Sequence, residues 1–271
     1  MARRQAKPEG VLESPKDTFD KAKQLMEYWA ERDNRMDTAW KLYTTEDEEQ
    51  TRRATEEWGS YKTNLPKVLG NAVSSIISRE EPIYRIPTDA MAQEERQQTS
   101  EIERFLKGCR RECDLTLRQS SQGSLSGSSV RNITIRGWYG AARVIIQKPK
   151  ETGGSPIDFA LWDPRDVYPE PSPGRPRRII HVYDTTVSTL KEDTSIDWPE
   201  DVELEATDVV SVCDDWVCVN NEVWNGVAVS NIGKMPEGTW LLEPRRVPKL
   251  RHLPIIMGPV CGDVINPRTD G

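Results

Sequence analysis

The spacing of hydrophobic residues changes once along this chain, at Gly137, and this change constrains the fold more than any other feature of the sequence. Before Gly137, apolar residues recur every three or four positions, as on one face of an α-helix. After it, they fall in short runs bounded by glycine, proline and asparagine, which is typical of β-strands. The sequence therefore predicts an α+β protein, with an N-terminal helical half packed on a C-terminal antiparallel β-rich unit.

We predict that the chain is organised in four consecutive parts. Residues 1–15 form a flexible N-terminus, 16–136 a helical part and 137–260 a β-rich part. Residues 261–271 are expected to be a frayed end or the start of a missing segment.

Three helices are predicted in the helical part. The first runs for about four turns from Ser14-Pro15 to Trp29, the second begins at Asn64-Leu65-Pro66, and the third extends from Asp89 to about Leu117. Residues 120–129 are predicted to be a loop. The second helix is expected to carry a core shared by both parts, through a stripe of six residues: Val68, Leu69, Ala72, Val73, Ile76 and Ile77.

The β-rich part is predicted to contain several short strands. The runs with strand character are 142–146, 157–162, 178–183, 208–213, 216–220 and 222–229. Asn220-Asn221 separates the last two runs and is typical of a hairpin turn. These strands are expected to form an antiparallel β-rich unit.

Charge is distributed unevenly along the chain, although the net charge is only -7. Residues 101–150 carry ten basic and four acidic side chains, whereas residues 179–233 carry twelve acidic side chains and one base. Opposite charges on one chain suit head-to-tail packing of identical copies. The candidate inter-subunit contacts are Arg110, Arg111, Arg118, Arg131 and Arg136 against an acidic surface that includes Asp214 and Asp215.

No catalytic, cofactor-binding or metal-binding constellation is recognised in the sequence. The two histidines, His181 and His252, are far apart, and we expect the first to be packed and the second exposed. Cys109 and Cys113 share a helical face but do not form a metal-binding C-x-x-C pair, so they are interpreted as small core residues. Neither a membrane span nor a secretory signal is predicted.

Several segments together resemble the wing region of tailed-bacteriophage portal proteins. The first leads through Asn64 and Pro66 into an apolar helix, and the second runs from a helix through Gly137 into a strand. The third is Asp163-Pro164-Arg165-Asp166-Val167-Tyr168-Pro169, which matches a D-P-x-x-V-x-P pattern. The resemblance covers roughly residues 40–259, and the chain has no segment that corresponds to the family's stem, clip and crown, so we expect a fragment.

The resemblance implies a ring of identical subunits, usually twelve, at one vertex of the capsid in the virion. Such a ring is the conduit for genome packaging and ejection and the site of tail attachment. Its partners are the major capsid protein, the terminase, a head-tail adaptor and double-stranded DNA, which passes without sequence recognition. The resemblance implies no active site and no cofactor, and places synthesis in the host cytoplasm.

Two other classes of function remain open at this point. One is a nuclease or other enzyme whose active-site residues are dispersed along the sequence. The other is an unrelated phage adaptor or scaffold protein.

Overall fold

The computed structural model has the α+β architecture predicted from the sequence. It describes residues 8–44, 64–78, 85, 93–119, 125–146, 156–173, 175–192, 198, 204–231 and 233–259. The helices are Pro15–Thr44 (α1), Leu65–Ser78 (α2), Gln93–Gln119 (α3), Leu125–Arg131 (α4) and Val187–Glu192 (α5). The strands are Trp138–Ile146 (β1), Ile157–Trp162 (β2), Val167–Pro169 (β3), Arg178–Thr186 (β4), Val209–Val219 (β5), Glu222–Asn231 (β6), Met235–Val247 (β7) and Ile255–Pro259 (β8).

The chain divides into two compact units. Unit 1 comprises residues 1–34, 165–255 and 263–271, and unit 2 comprises residues 35–164 and 256–262. Unit 1 therefore combines the first part of α1 with most of the β-rich part, whereas the predicted division falls between residues 136 and 137. The sequence also predicts a short strand at residues 83–86, after Pro82, and a charged surface segment at 46–57; both lie outside the described residues, apart from Arg85.

Helix α1 is 30 residues long, about twice the length that the sequence predicts. It begins where the Ser14 hydroxyl accepts a hydrogen bond from the Asp17 backbone N–H at 3.1 Å and donates one to the Asp17 carboxylate at 2.7 Å. Pro15 follows as the first helical residue, where its missing N–H costs nothing. The helix continues past Trp29 because no glycine or proline interrupts it before Thr44.

Unit 1 is built on a five-stranded antiparallel sheet with the order β3-β4-β5-β6-β7. The predicted hairpin at Asn220-Asn221 joins β5 to β6, and both asparagines have positive φ, 52° and 60°, as a tight type I′ turn requires. Strand β5 is continuous across positions 214 and 215, where the sequence indicates a break between two strands. Strand β7 is absent from the sequence prediction because its charges and its two prolines obscure the alternation.

Both faces of this sheet contribute to a core. On one face, the Cys213 thiol lies 3.9 Å from the backbone carbonyl of Thr18, so the first part of α1 packs against β5. Toward the other face, α5 contributes to a cluster of buried aliphatic residues: Val187, Leu190, Val210, Val212, Val229 and Leu241. Strand β5 is central and buried over most of its length.

Unit 2 contains a three-stranded sheet with the order β2-β1-β8, together with α2, α3 and α4. Helix α4 occupies residues 125–131 and so overlaps the predicted loop at 120–129, because the serines and the one glycine within 125–129 tolerate a helix. It continues as one π-helical turn, Asn132–Arg136, and ends at Gly137, whose φ is 72°. That left-handed conformation favours glycine, so Gly137 terminates the helix and releases β1.

The apolar stripe of α2 is not the shared core that the sequence predicts. None of the residues of α2 is buried. Val68 is 56% exposed, Leu69 55% and Ile76 65%. The helix and its periodicity are as predicted, but the periodicity identifies an apolar face without identifying what covers it.

This correction leads to opposite expectations for two isoleucines. Ile179→Ala, in the buried strand β4, should lower the free energy of unfolding by about 2–5 kcal/mol because it leaves a cavity. Ile76→Ala, on the exposed stripe, should change it by less than about 0.5 kcal/mol. Urea denaturation at concentrations low enough to prevent self-association measures both. A loss of about 2 kcal/mol or more in the free energy of unfolding of Ile76→Ala would instead show that the stripe of α2 is buried.

Candidate functional site

Helix α2 exposes its large apolar residues and is half-buried along the side that contains Gly70 and Ser74. The Ser74 and Thr134 hydroxyls lie 3.5 Å apart, and the exposed Asn71 accepts a hydrogen bond from the Tyr43 hydroxyl at 2.7 Å. A Cβ at Gly70 would lie 3.2 Å from the Tyr43 ring, so the glycine permits the close approach of that ring. The outward stripe, which we call the α2 stripe, consists of Leu65, Val68, Leu69, Val73, Ile76 and Ile77, each 41% to 65% exposed.

A second apolar surface lies on α3. Ile102 is 49% exposed and Phe105 51% exposed, and we call these two residues the α3 patch. Cys109 and Cys113 lie farther along the same helical face and are buried, as the sequence predicts, with the Cys113 thiol donating to the Ile157 carbonyl of β2 at 3.4 Å. One half of this face is therefore packed in unit 2, and the other half is exposed.

The exposed apolar residues are concentrated in one unit. Twelve large hydrophobic side chains are exposed among the described residues, and ten of these belong to unit 2. Scattered single residues of this kind are normal on protein surfaces, but contiguous patches mark interaction sites. The α2 stripe and the α3 patch are therefore the candidate functional surfaces of this chain.

Asp214 and Asp215 do not form the acidic surface that the sequence predicts. They are 6% and 5% exposed. Neighbouring residues of a strand point to opposite faces of the sheet, and both faces of β5 are buried at this point. Charge alone suggested an exposed position, whereas the strand in which these residues lie runs through the centre of the sheet.

Each of the two buried carboxylates has a polar partner. Arg178 Nε donates to Asp215 Oδ1 at 3.1 Å, and both side chains are 7% exposed. Arg178 Nη2 also donates to the backbone carbonyl of Gly10, so this side chain connects β4, β5 and the segment that precedes α1. On β6, Asn225 Nδ2 donates to Asp214 Oδ1 at 2.6 Å and to the Asp215 carbonyl at 3.2 Å.

Burial determines the protonation of this cluster. Loss of solvent raises the pKa of Asp215 to about 6, with a further increase from the Asp214 charge, and Arg178 opposes both effects. Burial also raises the pKa of the Cys213 thiol, which keeps it protonated and therefore a poor nucleophile. His181 lies opposite Asp214 in the register of β4 and β5 and is buried, as predicted. Its ring stacks on the Tyr183 ring, with 4.7 Å between the ring centres.

A second arginine of unit 1 holds the D-P-x-x-V-x-P segment. Arg32 Nη1 donates to the Val167 carbonyl at 2.9 Å, and Trp29 Nε1 donates to the Pro169 carbonyl at 2.8 Å. The Arg32 guanidinium also lies over the rings of Trp29 and Tyr168, at 4.9 and 5.4 Å. Burial raises the pKa of Tyr168. Strand β3 is thus fixed to α1 by two hydrogen bonds and by the cation–π contact of Arg32 with Tyr168.

Arg136 is not available for the inter-subunit contact that the sequence predicts. Its side chain is 9% exposed, and Nη2 donates to Asp163 Oδ2 at 2.7 Å. The guanidinium also lies 4.9 Å from the centre of the Trp40 ring. Its partner Asp163 precedes the buried Pro164, which begins the single 3-10 turn leading to β3. This arginine therefore links α1, the π-helical turn and the D-P motif within unit 2.

The remaining candidate residues are dispersed. Arg111 and Arg131 are exposed and Arg110 is half-buried, whereas the Arg118 side chain lies outside the described residues. Asn64 is exposed and its carbonyl accepts the first helical hydrogen bond of α2 from Val68, with Pro66 in the first turn. His252 is exposed, as predicted. No group of three histidine, cysteine or acidic residues that could hold a metal ion occurs in the described part of the chain.

The raised pKa of Asp215 predicts a pH-dependent stability. Its ordinary value is 3.8, so the folded state binds this proton more tightly than the unfolded state does. The resulting stabilisation is complete below about pH 4 and is lost as the pH rises through about 6. Between pH 4 and 7 the wild type should lose about 3 kcal/mol relative to Asp215→Asn, which cannot titrate. Denaturant titrations of both proteins across this range measure the difference. A constant difference would mean that Asp215 titrates normally.

Removal of Arg178 should lower the free energy of unfolding much more than removal of an exposed arginine of the same sheet. Arg178→Met leaves the Asp215 carboxylate buried without its cation and should cost about 3–5 kcal/mol at neutral pH. Arg246→Met is the control, because the Arg246–Glu222 pair is 45% and 39% exposed and should contribute less than about 1 kcal/mol. Equal losses for the two variants, measured by urea denaturation, would show that the buried pair has no special role.

Comparison with known proteins adds no family to these observations. No protein-family model matches this chain, and no curated protein matches it significantly. None of the described helices is both long enough and apolar enough to cross a membrane. A function must therefore be inferred from the residues themselves.

Proposed function

We propose that this chain is a structural subunit of a ring-shaped portal at the capsid vertex of a tailed bacteriophage. The ring forms the conduit for genome packaging and ejection and the attachment site of the tail. Its partners are identical copies of the chain, the major capsid protein, the terminase and a head-tail adaptor. In this proposal the chain has a structural role and catalyses no reaction.

The observation that carries the proposal is the outward apolar surface of unit 2. Of the twelve large hydrophobic side chains that are exposed in the described part of the chain, ten lie there, although the mean hydropathy of the chain is -0.68. A protein that works alone gains nothing from such a surface, whereas a subunit of an assembly buries it against its neighbours. A ring in which every copy contacts two others meets this requirement.

The order of elements supports the same proposal. The resemblance implies a helix that runs through a glycine into a strand, and here α4 and its π-helical turn end at Gly137 before β1. The resemblance also implies a D-P-x-x-V-x-P segment after a strand, and here β2 leads through Asp163 and Pro164 into β3. These correspondences favour the portal over the nuclease and the scaffold.

A net charge of -7 is consistent with a conduit for DNA. Each lysine or arginine bound to a phosphate releases counterions and strengthens binding, so a strongly basic lining would hold the duplex instead of letting it slide. In this proposal double-stranded DNA passes without base-specific contacts and binds weakly near physiological ionic strength.

A measurement of the assembled mass tests the proposal. Purified protein should form closed rings, visible by negative-stain electron microscopy, with a mass that is a fixed multiple of the 30.9 kDa chain. The expected multiple is about twelve, and rings should persist on dilution further than open oligomers because closure gives every copy two contacts. A chain that stays monomeric at high concentration would contradict the proposal, as would rings that hydrolyse nucleic acid.

A further inference from the structure

We propose that the α2 stripe of one copy docks on the α3 patch of the next copy. This inference rests on the proposed function, which requires that copies meet but does not say through which surfaces. It assigns the two sides of the contact to two different places on the same chain. Such a contact is head-to-tail, the type that generates a closed ring.

The construction of α2 shows that the stripe is a surface for a partner. A helix that serves its own subunit turns its large apolar side chains inward. Here Gly70 and Ser74 are half-buried beside Tyr43 and Thr134, whereas six leucine, valine and isoleucine side chains are exposed. Contiguous exposed apolar side chains of this kind mark interaction sites of soluble proteins.

The chemistry of the stripe favours a protein as its partner. Lys67 is the single charged residue of α2. Helices that lie on membrane surfaces combine an apolar face with several lysines and arginines, and nucleic-acid surfaces need basic residues to neutralise phosphates. An apolar stripe with one charge matches neither ligand. It matches the apolar centre of a protein interface.

The α3 patch is the matching surface on the same chain. Ile102 and Phe105 continue the helical face that Cys109 and Cys113 bury, so this face is apolar beyond the part that its own unit covers. Exposed Glu101 and Arg104 flank the patch and give it a polar rim of both signs. An uncharged stripe can meet such a rim without placing like charges together.

The size of the two surfaces also suits a ring. Stripe and patch together comprise eight residues, far fewer than the roughly 20–30 residues on each side of a stable isolated pair. Such a contact holds two copies together only at high concentration. In a closed ring every copy makes it twice, so the ring forms at lower concentrations than the isolated pair.

Two charge substitutions test this assignment separately. Ile76→Asp disables the stripe and Phe105→Asp disables the patch, and each alone should raise the concentration needed for assembly by about 30-fold or more, as expected for a residue at the centre of an interface. Val209→Asp is the matched control, because Val209 is 58% exposed but belongs to unit 1. It should assemble like the wild type. Circular dichroism and urea denaturation confirm that all three variants fold.

Mixing the two disabled variants gives the decisive measurement. The intact stripe of Phe105→Asp can dock on the intact patch of Ile76→Asp, so an equimolar mixture should form 1:1 pairs and nothing larger. Analytical ultracentrifugation at high concentration detects these pairs, and neither variant should form them alone.

The possible failures are distinguishable. If both variants form rings as readily as the wild type does, the stripe-to-patch contact is overturned and the portal proposal stays intact. Dimers that Ile76→Asp abolishes and Phe105→Asp does not would show that stripe packs on stripe, which overturns this inference. Pairs in the mixture, with a wild type that forms open chains instead of rings, would support the contact and contradict the portal. A wild type that never associates would overturn both.

Discussion

The buried ion pair between Arg178 and Asp215 fixes how the sheet of unit 1 is assembled. Two adjacent carboxylates in a central strand are costly to bury, because each loses its water. The cost is offset only when β4 supplies Arg178 to Asp215 and β6 supplies Asn225 to Asp214. A shift of either neighbour by one residue would move these partners to the wrong face and leave a carboxylate unpaired. The polar cluster therefore selects one register among several that hydrophobic burial alone would permit.

The same side chain extends this constraint beyond the sheet. Arg178 also donates to the Gly10 carbonyl, and Val11 packs with Val217 and Trp224 on the same unit. The segment before α1 is thereby attached at the sheet, which sets where α1 begins. Farther along, Arg32 and Trp29 bind the carbonyls of β3, so α1 is attached to unit 1 at both ends of its packed part. Buried arginine is suited to this use because it presents several donors at once and stays charged.

The sequence predicted local structure better than packing. Fold class, the Asn220-Asn221 hairpin, the helix start near Asn64 and the stop at Gly137 all depend on local backbone chemistry, and all were correct. The positions of Asp214, Asp215 and Arg136 were wrong because charge suggests exposure, and only the tertiary structure supplies the partner that permits burial. Periodicity identified the stripe of α2 correctly, yet it carries no information about whether the covering surface belongs to the same chain. The proposed contact with α3 could not be predicted from sequence for the same reason.

Unit 2 differs from unit 1 in how many of its large apolar residues are exposed. In the described part of unit 1 most large apolar residues are buried, and the buried carboxylates Asp214 and Asp215 have polar partners. In unit 2 the half-buried side of α2 holds Gly70 and Ser74, which contribute little buried apolar area to the stability of the unit. A helix held this loosely gains stability when its stripe is covered, because burial of that stripe then counts toward the folded state. Under the proposed stripe-to-patch contact, folding of α2 and association of subunits are coupled, and each subunit draws part of its stability from its neighbours.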